Sequence, residues 1–290
     1  MPSLKEYKAK LASLSNTRKM TKTMKMVAAS KLYRTMDAQR KALLYATKLT
    51  EMLGRLAASV DPSSHPLLQQ RDPPRSARLL IIMSDKGMCG GFNNNLIKYV
   101  LRWLEMPGRP EQKISFSFAG RRGWLFFRNR VHVAGHYEGV TQRPTPAHAL
   151  AIGNDMRRAF LSGAVDEVYI AYNRFISPLS QRPVIRRLLP IVPEAIPLSG
   201  SRIHDDYILE PKEEQLLAVL LPKIIDFEIY FALLENAAGE NGARMTAMDN
   251  ATNNATKMIR TYTLLRNRAR QAAITKELIE IVSGAEALKG

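Results

Sequence analysis

The longest apolar periodicities lie at the two ends of the chain. From Arg244 onward, Ala251, Met258, Leu265, Ala272 and Ile279 fall in one heptad position and Met248, Ala255, Tyr262 and Ala269 in the other. Such a repeat predicts a helical seam. A helix of 45 residues is roughly 68 Å long, more than a compact domain of ordinary size covers. It must run beside another long helix, extend into a partner, or both. The seam is poor in Leu and rich in Ala and Met, and Lys276 interrupts it. Small residues permit close approach but bury less area per layer than Leu or Ile. The other faces carry amides and arginines, among them Asn250, Asn254, Arg260, Arg266, Asn267 and Arg270.

The second long pattern runs over residues 3–60, with no proline between Pro2 and Pro62. Ser3 and Glu6 have the spacing of a capping box. Leu4, Tyr7, Leu11 and Leu14 begin a stripe, which weakens to Thr21, Lys25, Ala28 and Leu32. It resumes through Ala42, Ala46, Leu49, Leu53, Leu56 and Val60. The run from Lys19 to Met26 puts methionines and lysines on most faces, as expected of a helix whose whole circumference meets something. Two long helices at opposite ends of one chain suggest an antiparallel pair with a domain inserted between them.

The boundaries read as an N-terminal helix over 1–60, a proline-containing linker over 61–78, an α/β domain over 79–195, a loop over 196–211 and a C-terminal helix over 212–290. Within the insert, Leu79–Met83 is a short apolar strand of parallel-sheet character. A helix over Asn93–Trp103 follows, then a strand at Ile114–Phe118, a short helix near Trp124 and Phe127, and a strand at Val131–Val133. A helix at Ala149–Leu161 and strands at Val165–Tyr172 and Val184–Leu189 complete it. This alternation predicts an open, mostly parallel, Rossmann-like sheet covered by helices. Pro222 predicts a kink or break in the closing helix. Around Gly239 and Gly242, local rules allow either one continuous helix or two helices joined by a turn.

Charge narrows the partners. The formal net charge is +17, which implies an acidic protein surface, a nucleic acid or an anionic membrane. Residues 1–58 hold 13 Lys/Arg against three acidic residues, and residues 244–276 hold seven against one. A basic coiled-coil nucleic-acid binder is therefore the alternative reading, although stacking aromatics and helix-turn-helix or finger signatures are missing. The single cysteine, Cys89, excludes an intrachain disulfide and points to a reducing compartment. The N-terminus has no signal-peptide run. The most apolar C-terminal stretch, Leu216–Leu234, contains Lys223, Asp226 and Glu228 and does not read as a membrane span.

Candidate chemistry is sparse. The loop Ser84–Gly91 (SDKGMCGG) sits between a strand and a helix, where phosphate loops occur, but it fits neither common phosphate pattern. Its Asp85 would repel a phosphate. Cys89 has only Lys86 nearby as an activator. His132, His136 and His148 lack the spacing of a metal site. Asp166-Glu167 and Asp205-Asp206 read as solvated ends of strands or loops. No catalytic constellation, metal site or cofactor is expected.

Three stretches resemble one family. Lys19–Leu32 (KMTKTMKMVAASKL), Ser84–Asn95 (SDKGMCGGFNNN) and Arg268–Ala285 (RARQAAITKELIEIVSGA) are similar to signatures of the gamma subunits of F-type ATP synthases. The likeness runs end to end. It implies that the terminal helices wind into an antiparallel, left-handed coiled coil. That coil passes through a ring of three alpha and three beta subunits, one copy per complex. The α/β domain is then a foot resting with the epsilon subunit on the c ring. The shaft couples proton-driven rotation of the c ring to ATP synthesis or hydrolysis in the ring, with no catalytic residue of its own. Nucleic acid is not a partner on this reading, and membrane association is indirect. The location implied is the cytoplasmic face of a bacterial inner membrane or the matrix face of a mitochondrial one. Motif matching places partner contacts at Lys22, Met24 and Lys25, and at Arg266, Arg270, Gln271, Thr275 and Glu277. The resemblance favours a continuous helix through Gly239 and Gly242. With Cys89 alone, the chain lacks the cysteine pair of the chloroplast-type members.

Overall fold

The structure is a computed structural model that describes residues 3–57, 65–192 and 213–287. Helix α1 spans Leu4–Ala57 and helix α5 spans Glu213–Ala287. Between them lie β1 (Ser76–Ile82), α2 (Phe92–Leu104), β2 (Lys113–Ala119), α3 (Arg121–Phe127), β3 (Val133–Tyr137), α4 (Pro146–Leu161), β4 (Glu167–Ser177) and β5 (Ser180–Leu189). The chain divides into two compact units: Met1–Ala28 with Met245–Gly290, and Ala29–Arg244.

In the larger unit, the five strands lie in the order β3-β2-β1-β4-β5. β1 pairs in parallel with β2 and β4, β2 pairs in parallel with β3, and β5 closes the edge antiparallel to β4. Alternate residues of β1 serve opposite layers, as a doubly covered strand requires. Ala77, Leu79, Ile81 and Met83 pack with α2, Phe116, Phe118 and Phe127. Leu80 and Ile82 pack with Ile152, Met156 and Phe160 of α4 and with Leu217, Leu221, Ile225 and Ile229 of α5. The third strand occupies 133–137, a little later than its apolar signal, because Val131 packs against the α2/α3 core from outside the ladder.

The capping box forms: Ser3 N donates to Glu6 Oε2 and Glu6 N to Ser3 Oγ, each at 3.3 Å. Pro222 lies inside α5 and does not end it. Its carbonyl accepts from Arg157 Nη1 at 3.0 Å. The helix also runs unbroken through Gly239 and Gly242. These glycines serve close packing. A Cβ at Gly239 would lie 2.9 Å from the Phe92 ring, and one at Gly242 would lie 3.0 Å from Pro178 Cα. Among the described residues no helix is long and apolar enough to cross a membrane.

Candidate partner-binding face of the helical pair

In the smaller unit the two helices run antiparallel. The Tyr7 ring sits 6.3 Å from that of Tyr262, Thr21 Oγ1 lies 2.7 Å from Thr252 Oγ1, and Lys25 Nζ meets Asp249 Oδ1 at 2.6 Å. The α1 stripe is as its spacing predicts: Leu4, Tyr7, Leu11 and Leu14 are half-buried, and Thr21 and Ala28 are buried.

The α5 stripe is partly different. Met248 and Ala255 are buried, and Tyr262 and Ala269 half-buried, as expected. The companion position is taken by Thr252, Ile259, Arg266 and Ala273, all half-buried. Of the expected companions, Ala251 is half-buried, and Met258, Leu265, Ala272 and Ile279 are exposed. Either choice keeps the alternation of three and four from Met248, and apolarity alone selects the wrong one. The partner helix selects the other, where the Thr21–Thr252 contact closes. Arg266, expected on the outer face, therefore lies in the seam, with Nη2 3.2 Å from Asn267 Oδ1.

Because Tyr262 stands against Tyr7, α1 runs out one turn further along. From Ile274 to Ala285 every residue of α5 is exposed, including Leu278, Ile281 and Val282. The apolar residues left outside the seam form a second, uncovered stripe.

The expected contact residues fall in two bands. Lys22 is exposed, while Met24 and Lys25 are half-buried within the same turn of α1. Lys25 is held by Asp249, a residue that sequence reasoning missed although it is the one acid between Arg244 and Lys276. Arg270, Gln271, Thr275 and Glu277 are exposed on α5, beyond the half-buried Arg266. Thr252 stands against Thr21, so the second band begins roughly 21 Å along the pair. The structure keeps the bands apart: each presents charge on a different stretch of the pair.

In the larger unit, the strand order reverses between β1 and β4. In open α/β sheets this is where a ligand crevice opens beyond the carboxyl ends of the strands. Here the crevice is filled by the protein. Ser84 Oγ contacts Asn93 and the Lys86 carbonyl. Asp85 accepts from Arg121 N at the start of α3 and from Thr141 Oγ1. Arg244 of α5 donates to the Gly87 carbonyl at 3.1 Å and pairs with Glu240 at 2.7 Å. Asn173 Nδ2 donates to the Phe92 carbonyl at 3.1 Å, and Gly239 lets α5 press on the Phe92 ring. Burial pushes the Cys89 thiol up from its ordinary value, away from thiolate chemistry.

His136 stacks flat on Trp124. Among the described residues no group of three or more His, Cys, Asp or Glu could hold a metal ion. Asp166 and Glu167 are not solvated ends. Asp166 accepts from Arg75 N, Ser76 N and Ser76 Oγ, and these bonds with that of Arg71 hold its carboxyl below the usual range against the cost of burial. Glu167 is buried between Arg109 and Arg187. Asp205-Asp206 lie outside the described residues.

A family model described as ATP synthase matches residues 3–288. An ATP synthase gamma chain from Geobacter metallireducens is 45% identical over 290 residues, covering 100% of both chains. One from an Anaeromyxobacter species is 44% identical over 293 residues, again covering 100% of each. Among solved structures, a chain of Euglena gracilis mitochondrial ATP synthase (OSCP/F1/c-ring, rotational state 3) aligns with a TM-score of 0.69 at 21% identity, covering 98% of this chain and 94% of that one. A chain from the central stalk and c-ring of Tetrahymena thermophila mitochondrial ATP synthase aligns at 0.60 and 23%, covering 80% and 99%. At these identities the structural likenesses speak for the fold.

Proposed function

The chain belongs to the family of ATP synthase gamma chains, and on that premise we propose that it is the central rotor shaft of such an enzyme. It turns inside a ring of three alpha and three beta subunits, one copy per complex. It couples proton-driven rotation of a c ring to ATP synthesis or hydrolysis in the ring. The epsilon subunit and c ring meet it at the α/β foot. The bacterial relatives favour a peripheral position on the cytoplasmic face of the inner membrane.

The observation that carries this reading is the one-sided seam. The helical pair covers only one stripe of α5 and leaves Met258, Leu265, Leu278 and Ile279 outside it. A shaft with unlike faces presents a different contact set at each angle. It thereby shifts each surrounding subunit among its conformations by differential binding. The contacts must also break at every step. Exposed charge pairs suit this, since each is worth about 0–1 kcal/mol. Lys22, Met24 and Lys25, and Arg266, Arg270, Gln271, Thr275 and Glu277, are the contacts this reading assigns. No catalytic residue is needed on the shaft.

The test is Lys22→Glu, alone and with Lys25→Glu, in the assembled complex reconstituted in vesicles. Synthesis at a fixed proton gradient should fall several-fold while the yield of assembled complex stays near normal. Lys22→Glu is the cleaner arm, because Lys25→Glu also breaks the pair with Asp249. Normal coupling in both variants would remove the charged band from the mechanism.

A further inference from the structure

In the larger unit a cleft of about 320 Å³ lies away from the β1/β4 crevice. Arg78 of β1, Tyr137 of β3, and Asp155 and Arg158 of α4 line it, with Ser162 just past the end of α4. Its charges are unevenly matched. Asp155 Oδ2 accepts from Tyr137 Oη at 2.7 Å, and Asp155 Oδ1 pairs with Arg158 Nη2 at 3.3 Å. That carboxylate is thereby neutralised by its own neighbours.

Arg78 has no such partner. A guanidinium carries five N–H donors. Among the described residues only Ser115 Oγ takes one of them, from Nε at 3.3 Å, and no acid lies within ion-pair distance. Burial pulls the Arg78 guanidinium below its ordinary pKa, with Tyr137 and Asp155 acting the other way. Arg78 is half-buried, and a partly desolvated guanidinium favours a carboxylate or phosphate against it.

A second unsatisfied polar group lies beneath the residues that line the cleft. The β1/β2 register sets Arg78 beside Ser115 and Leu80 beside Ser117. Ser117 is therefore on the same face, two residues along. Its hydroxyl is buried and makes no hydrogen bond. Gly135 stands opposite Ser117 on β3. A Cβ there would stand 3.3 Å from both Ser117 Oγ and Tyr137 Oη. A buried hydroxyl without a hydrogen bond thus lies beside Tyr137, beneath the cleft that the Arg78 guanidinium lines.

We infer that this cleft between β1, β2, β3 and α4 binds a small oxyanion, a carboxylate or phosphate group, held in bidentate fashion by Arg78. Arg fits this role because its planar fork matches two oxygens at once. The inference is independent of the shaft reading, since it concerns the sheet alone.

The test uses the full chain, with arginine Nε–H resonances followed by NMR. Inorganic phosphate and, separately, acetate are titrated at constant ionic strength. One Nε–H signal, lost in Arg78→Gln, should move saturably at millimolar anion. Arg78→Lys, which keeps the charge and loses the fork, should weaken binding at least five-fold. Gly135→Ala leaves the charge intact, crowds the Tyr137 hydroxyl that lines the cleft and should weaken binding as well. Saturation at lower phosphate than acetate assigns a phosphate ligand, and the reverse order assigns a carboxylate. The inference is overturned if neither anion gives a saturable shift. It is equally overturned if folded Arg78→Gln is stabilised against heat by phosphate as much as wild type, or if Gly135→Ala binds unchanged.

Discussion

Helix α5 contains two regions built on opposite terms. In the larger unit, Leu217, Leu221, Ile225 and Ile229 bury one stripe, and then every residue from Ala232 to Gly242 is buried. A helix covered all round belongs to a core. In the smaller unit, only Met248 and Ala255 are buried and the remaining contacts are partial. The first region even buries Glu235, Asn236, Glu240 and Asn241; Tyr172 partners Glu235, Arg244 partners Glu240 and the Ala237 carbonyl partners Asn241, while the Asn236 amide makes no hydrogen bond among the described residues. The second buries little more than alanine and methionine. A helix stretch buried on every side is built to stay assembled. A pair that touches along one narrow stripe leaves most of its surface for others.

The sharpest way to break the first half of this comparison is Arg157→Ala. Arg157 and Asp226 pair beneath α5, with side chains 10% and 18% exposed. Burial already holds the Asp226 carboxyl above its ordinary value, with Arg157 pulling it back. Removing Arg157 strands that carboxylate and also takes a donor from the Pro222 carbonyl. Deleting one partner of a buried pair costs about 3–5 kcal/mol. The melting transition of the larger unit should drop by on the order of 10 °C, measured by calorimetry on the full chain. A loss under about 1 kcal/mol would mean that α5 is held far more loosely than its burial implies.

Glycine to alanine at two positions of the same helix separates the regions further. In a free helix the change favours the fold by about 1 kcal/mol. At Gly239 the new Cβ meets the buried Phe92 ring at 2.9 Å and Gln181 Cγ at 3.2 Å. Overpacking of that kind costs about 1–3 kcal/mol, so Gly239→Ala should destabilise. At Gly284 nothing lies within 4 Å, and Gly284→Ala should leave stability unchanged or raise helicity. Urea midpoints and far-UV circular dichroism read both. Opposite signs support the contrast, and a gain at Gly239 breaks it.

Gly239 also marks where sequence reasoning needs more than local rules. Seen alone, two glycines three apart allow a turn as well as a continuous helix. Their actual reason, the approach of Phe92 and Pro178, lies far away in the chain. The strands were legible because buried parallel strands are short apolar runs, and the order of strands and helices followed from their alternation. The α1 stripe was legible because Leu4, Tyr7, Leu11 and Leu14 set its phase, although Met20 and Val27 sit exposed beside Thr21 and Ala28. The α5 stripe was legible at Met248, Ala255, Tyr262 and Ala269 and misread at its companion position. There the exposed flank is the more apolar one, and Thr252 and Arg266 sit in the seam. The pairing of Asp226 with Arg157 left no local trace at all, since the partners lie in helices 69 positions apart.

The smallest expected effect tests that misreading directly. Ile259 and Met258 are adjacent in sequence, and the structure half-buries the first and leaves the second 43% exposed. Ile259→Ala should cost about 1 kcal/mol: a partly buried isoleucine loses less than the 2–5 kcal/mol of a core site, and alanine returns a few tenths through helix propensity. Met258→Ala should stay within about 0.5 kcal/mol. Melting of the helical pair in the free chain, followed at 222 nm, reports both. In the assembled complex the ranking should invert, because Met258 belongs to the stripe that the proposed ring would cover. If Met258→Ala were the costlier change in the free chain, the seam would run through Leu265 and Ile279 after all, and the outward-facing stripe on which the shaft reading depends would not exist.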